Sequence, residues 1–183
     1  MKPRHSDSLI LIWQLAELEA RHLNSPTIEP THLLLGLLKS VDLDLLTLFA
    51  NHSPNRDEIL EEALREVRRL RTVFETAGLD ARAFRRVLRR QTADPSSGSP
   101  SDSQPLRRSK SAKQVFADAE HFAEIANCIV FPVHLFFALL SNTADTHSHL
   151  MVRLGCNPAR LRKVAKREVL LGCVRDQAQA GRN

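Results

Sequence analysis

One apolar turn-into-helix is written twice in this chain. Residues 27–38 read TIEPTHLLLGLL and residues 129–140 read IVFPVHLFFALL. Pro30 aligns with Pro132 and His32 with His134, while Leu33, Leu37 and Leu38 meet Leu135, Leu139 and Leu140. An internal repeat constrains a fold more than local propensity does. A unit too small to bury its own apolar face gains a core by packing against its copy. The alignment extends outward: Leu23 falls on Ile125, Ile28 on Val130, and Gly78 on Gly155 within the similar stretches 73–90 and 151–168. The first copy carries extra length near 42–66.

The repeats read as helical. Leu11, Ile12, Leu15, Leu18 and Leu23 recur at helical spacing over 8–23, with Ala16 and Ala20 between them. NSPTIEP then breaks the helix, and Pro30 sits at the first position of the next, where its missing N–H is no loss. PTHLLLGLLKS is apolar nearly all round, which predicts burial. Residues 55–71 form an amphipathic helix with Ile59, Leu60, Ala63, Leu64, Val67 and Leu70 in one stripe. ETAGLD is a break, and ARAFRRVLRR a short helix with Phe84, Val87 and Leu88 inward. Residues 92–111 are rich in Ser, Pro and Gly and read as a disordered or extended linker. Helical patterning resumes from 112 to 122, returns at PVHLFFALL and near 149–154, and ends with a basic helix from 159 to about 171. The organisation expected is a first repeat over 1–91 with its insertion, a linker over 92–111, a second repeat over 112–175 and a tail over 176–183.

EARHLNSPTIEPTHLLLGLL, Glu19 to Leu38, followed by a Gly-led turn into a last helix, resembles the Clp N-terminal repeat domain. SAKQVFADAE, after the linker, is similar to the start of that family's second copy. Two tandem copies form the N-terminal domain of unfoldases of the ClpA, ClpB and ClpC kind. The resemblance implies an all-α module of two Clp-type repeats packed with pseudo-twofold symmetry. It implies docking of adaptors and substrate proteins, and no catalysis by the module itself. The sequence holds no G-x-x-x-x-G-K-[ST] phosphate cradle, so the expectation is an accessory or adaptor-like factor of Clp chaperone and proteolysis systems, with no cofactor. By family position, the contacts would come from the turns before the buried helices: Glu29, Thr31, Phe131 and Val133. In ClpC-type domains that grip phosphorylated arginine, a Glu precedes the motif His in each copy. Thr31 and Val133 stand there instead and offer no carboxylate to a guanidinium fork, so that activity is not expected.

Charge supplies the alternative. Residues 65–90 hold nine arginines against Glu66, Glu75 and Asp80, within a net charge of +5. Solvated helix faces explain such a density, with Arg82, Arg85, Arg86, Arg89 and Arg90 as the basic surface candidates. The sharper reading is a nucleic-acid-associated regulator. Against it, Phe74 and Phe84 are turned inward by the helical pattern and no stacking aromatic remains among the basic residues.

Other chemistry finds no constellation. His32 and His134 stand alone at helix starts, which suits structural histidines bonded to the preceding loop. Asp145, His147 and His149 read as a solvated turn and not as a zinc site. Cys128, Cys156 and Cys173 lack C-x-x-C spacing and read as small apolar residues in a reducing compartment. The apolar run Leu9–Trp13 is too short for a signal sequence, and the location expected is cytoplasmic.

Overall fold

The computed structural model describes residues 4–44, 56–92, 105–142 and 144–180, with backbone alone for 56–58, 144–146 and 172–180. Among these residues eight helices and two short strands follow in order: α1 (Asp7–His22), β1 (Thr27–Ile28), α2 (Pro30–Ser40), α3 (Arg56–Ala77), α4 (Ala81–Thr92), β2 (Arg107–Arg108), α5 (Lys110–Ile125), α6 (Pro132–Asn142), α7 (Ala144–Arg153) and α8 (Pro158–Ala180). The fold is all-α.

The duplication is visible down to single hydrogen bonds. α1 ends with Asn24 in the left-handed region (φ 55°), and Ser25 N–H reaches back to Ala20 O at 2.9 Å. α5 ends the same way, with Asn127 at φ 52° and Cys128 N–H on Ala123 O at 3.0 Å. Asparagine tolerates this conformation better than most residues, so it closes both helices. Gly78 and Gly155, at φ 76° and 77°, end α3 and α7 in matching fashion. Leu79 N–H bonds Phe74 O at 2.8 Å and Cys156 N–H bonds Met151 O at 2.9 Å. The two histidines are structural, as the sequence predicts. Glu29 N–H donates to His32 Nδ1 and Phe131 N–H to His134 Nδ1, both at 2.9 Å.

The halves also exchange strands. His5 bridges Val130 in parallel, and β2 pairs in parallel with β1, so the segment before each repeat's first helix crosses to the other repeat's turn. Ser6 N–H meets Val130 O at 3.1 Å, and Ser109 N–H meets Ile28 O at 3.1 Å. A contact from one half to the other, answered by its mirror contact, is what a pseudo-twofold axis produces. α2 packs on α6 across that axis. One continuous apolar cluster runs from Leu9 to Val169 through both halves, with Phe74 and Phe136 edge to face at 4.9 Å.

Several boundaries differ from the sequence expectation. α3 continues through the first residues of the ETAGLD break and stops only at Gly78, where a positive φ is required. Of the 92–111 linker, residues 93–104 lie outside the described residues. Arg107–Arg108 is extended and paired, and Ser109 caps α5 by accepting Ala112 N–H at 3.1 Å. The turn expected around Asp145–His149 is helical, and His147 is buried on the inner face of α7. Cys128 is disulfide-bonded, with a partner outside the described side chains, whereas Cys156 is a free, buried thiol. The reading of all three cysteines as reduced apolar residues therefore fails at Cys128. Within the 42–66 insertion, residues 45–55 lie outside the described residues.

Candidate docking cleft

The duplication creates two related grooves, each between the first helix of one repeat and the buried helix of the other. They have different fates. Between α5 and the start of α2 lies an open cleft of about 700 Å3. Glu29, Pro30 and Thr31 form one wall, and Lys110, Ser111, Gln114 and Val115 the other. Asn142 and His147 close its end. Glu29 and Thr31 are half-buried, and Thr27 Oγ1 donates to Glu29 Oε1 at 2.7 Å, which fixes the carboxylate at the mouth. Burial lowers the His147 pKa, so its imidazole is neutral at pH 7. The cleft thus offers an anion, a cation, two amides and two hydroxyls over an apolar floor.

The matching groove, between α1 and α6, is covered by α3, which packs on both. Phe131 and Val133, counterparts of Glu29 and Thr31, are only 6% and 4% exposed there. Glu66 of α3 is buried against the start of α1, where Ser6 Oγ donates to its Oε2 at 2.7 Å and Ser8 Oγ donates to the same oxygen. Its other oxygen, Oε1, has no hydrogen-bond partner among the described residues. Burial pushes the Glu66 carboxyl up to about 7, against the two serine hydrogen bonds that favour its charged form. The structure brings Glu29 and Thr31 together at an open surface. It keeps Phe131 and Val133 in the interior.

Glu66 is a residue the sequence pattern could have revealed. It lies three residues after Ala63 and four before Leu70, inside the apolar stripe of its helix.

The basic candidates divide in two. Arg89 grips Glu19 with both Nε, at 2.6 Å from Oε2, and Nη2 on Oε1, while Lys39 Nζ stands 3.6 Å from the same carboxylate. Glu19 is 1% exposed. Burial alone would raise its pKa, but the Arg89 hydrogen bonds and the charges of Arg89, Lys39 and Arg85 carry it below the usual range. Arg85 pairs with Asp42 at 3.3 Å. Arg82, Arg86 and Arg90 form the outer row of α4, exposed and without an acidic partner among the described residues. All five line a shallow open depression of about 390 Å3. No group of three or more His, Cys, Asp or Glu able to hold a metal occurs among the described residues, and no described helix is long and apolar enough to cross a membrane.

A duplicated all-helical unit with exchanged strands and Pro-led buried helices is the fold of Clp-type N-terminal domains. Solved structures share it at low identity. The N-terminal domain of Hsp104 from Candida albicans superposes with a TM-score of 0.61 at 18% identity, over 88% of this chain and 89% of that one. The N-terminal domain of the caseinolytic protease-associated chaperone ClpD from Arabidopsis thaliana gives 0.58 at 19%, over 91% and 94%. A structure from a malarial protein secretion system gives 0.61 at 16%, over 91% and 95%. No family model and no curated protein matches the sequence. At these identities the likeness is one of fold.

Proposed function

We propose that this protein is a non-enzymatic docking module that binds polypeptide segments of adaptors or substrates in the cleft between α2 and α5. On this reading it serves a Clp-type chaperone or proteolysis system. The observation that carries the proposal is the asymmetry of the grooves: one is occupied by the protein's own α3, and the other stands open between two repeats of a docking-domain fold. Its mixture of donors and acceptors suits the alternating N–H and C=O groups of an extended peptide. Glu29 and Thr31 are the contacts from the first repeat. Phe131 and Val133 support the core unless α3 is displaced. Thr31 and Val133 supply no carboxylate, so arginine-phosphate is not the expected ligand.

Capture from nuclease-treated native lysate tests this, with wild type beside a Thr31→Arg/Gln114→Arg variant that fills the cleft. Recovery of a Clp-type ATPase, its protease or an adaptor by the wild type, and its loss with the variant, is the expected result. Retention by both proteins would sink the assignment.

A second reading rests on the free row Arg82, Arg86 and Arg90, which one helix face could lay along a phosphate backbone. Binding of DNA or RNA that falls with salt at a log–log slope near −3, about one unit for each phosphate an arginine neutralises, would support it. Salt-insensitive partners would exclude it.

A further inference from the structure

Cys128 and His134 give the second repeat a piece of chemistry that the first repeat lacks. Both repeats close their first helix on an asparagine, and the next residue is Ser25 in one and Cys128 in the other. His32 and His134 each accept a backbone N–H at Nδ1, so each neutral ring carries its proton on Nε2. From there the copies part. His32 Nε2 is buried with no hydrogen-bond partner among the described residues, while Ser25 Oγ donates instead to Thr27 O at 2.7 Å. His134 Nε2 stands 3.7 Å from Cys128 Sγ and donates its proton to the sulfur.

That sulfur belongs to a disulfide. The chain has three cysteines, and Cys156 is a free, buried thiol that donates to Ala77 O at 3.7 Å. Cys173, in α8, is the cysteine that remains. A bond between Cys128 and Cys173 ties the turn before α6 to the helix that packs on both α6 and α3. An N–H aimed at one sulfur does not treat the two redox states alike. A thiolate accepts a hydrogen bond far more strongly than a disulfide sulfur does, so the donor favours the reduced pair. Disulfides whose reduced form is stabilised are the easily opened ones. Cys128 is half-buried, which leaves its sulfur within reach of a small thiol.

We propose that Cys128 and Cys173 form a reversible redox site, opened and closed by exchange with a small thiol of the glutathione class, with His134 as the positioning residue that favours the open pair. A small thiolate attacks Cys128 Sγ, the protein S–S bond breaks and the Cys173 sulfur leaves. A second small thiolate attacks the outer sulfur of that mixed disulfide. Cys128 then leaves as a thiolate into the hydrogen bond from His134. In sum, two small thiols give up two electrons and two protons and become one disulfide, and the protein gains two thiols. The reverse exchange, with the small disulfide as oxidant, closes the pair. Opening unties α8 from the turn at Cys128 and leaves the His134 lock on Phe131 N–H in place. The inference does not rest on the reading given to the cleft between α2 and α5.

Differential alkylation of the whole protein after equilibration in glutathione buffers, read by peptide mass spectrometry, tests it. The Cys128–Cys173 linked peptide should be present in oxidised buffer and gone by about 10 mM reduced glutathione. His134→Asn keeps an oxygen for Phe131 N–H and removes the Nε2 donor. It should shift the exchange equilibrium at least tenfold toward the disulfide. Cys173→Ser leaves Cys128 as a single thiol, whose alkylation by iodoacetamide at pH 7 should be at least tenfold faster than that of a peptide of residues 124–132. Adding His134→Asn should move the pH of half-maximal alkylation upward. Absence of the linked peptide from oxidised protein would overturn the proposal. So would a bond that survives about 10 mM glutathione, or an equilibrium and a pH profile that His134→Asn leaves unmoved. If His134→Asn fails to fold by circular dichroism, Cys173→Ser decides alone: alkylation of Cys128 no faster than that of the peptide rejects the site.

Discussion

The two repeats share their turns, caps and buried helices and differ in what they do with their inner polar positions. In the first repeat Glu19 is buried under Arg89 and Lys39. Counted back from Asn24 and Asn127, which close α1 and α5, the counterpart of Glu19 is Phe122, one place beyond the register that set Leu23 on Ile125; it packs on Phe137 with ring centroids 4.8 Å apart. In the first repeat Gly36 lets α2 approach α1 so closely that an added Cβ would stand 2.8 Å from Ile12 O. The second repeat has Ala138 at that place. Finally, α3 covers the groove at the start of α1, while the equivalent groove at the start of α5 is open. A duplicated fold can thus keep one half as scaffold and leave a surface on the other for partners. What differentiates them is a few buried charges, one glycine and the greater length of α3, 22 residues against the 10 of α7.

Three substitutions probe that division, in falling order of effect. Glu66 ties α3 to the covered groove. Its folded pKa, about 7, stands above the ordinary glutamate value of 4.5, so protonation stabilises the fold. Stability from this group is complete below about pH 4.5 and is lost as pH rises through about 7. Glu66→Gln should remove that dependence, so the stability difference between variant and wild type should change by about 3 kcal/mol between pH 4 and pH 8. Urea unfolding at several pH values measures it, and a constant difference would show that Glu66 is not held in a low-dielectric site. Next, Arg89→Met leaves Glu19 buried with only the unbonded charges of Lys39 and Arg85 nearby. A stranded buried charge is costly, but Arg89 is a third exposed and its pair partly screened, so the loss should be about 2 kcal/mol. A loss within about 0.5 kcal/mol would mark the pair as a surface contact. Smallest, Gly36→Ala forces α1 and α2 apart at Ile12 O and should cost about 1–2 kcal/mol, whereas an alanine in an open helix would stabilise. Thermal melts give the sign, and a raised Tm would contradict the close approach.

Much of this was legible in the sequence. The repeated Pro-x-His-Leu motif fixed the buried helices and their histidine locks, because Pro30 and Pro132 start helices and His32 and His134 each take one backbone N–H three residues back. Phe74 and Phe84 point inward, as helical spacing demands. Other features could not be read because they depend on distant partners. Leu18 belongs to the apolar pattern of α1 but is 55% exposed, while Glu19 beside it is buried. Only the arrival of Arg89, 70 residues later, makes that exchange favourable. The pairing of Arg107–Arg108 with Thr27–Ile28 was hidden by composition, since two arginines carry no strand signal until a turn from the other repeat offers its backbone. Among the proposed contact positions, the family motif marks Glu29 and Thr31 as readily as Phe131 and Val133. Nothing in the motif tells that α3 covers the second pair.

The most direct measurement is an amide chemical-shift map of the protein titrated with β-casein as an unfolded polypeptide. Perturbations should gather at residues 29–31 and 110–115, with the counterpart positions 131–133 unmoved while α3 stays in place. Equal perturbation of 29–31 and 131–133, or perturbation confined to 131–133, would contradict the claim that the open half is the docking half.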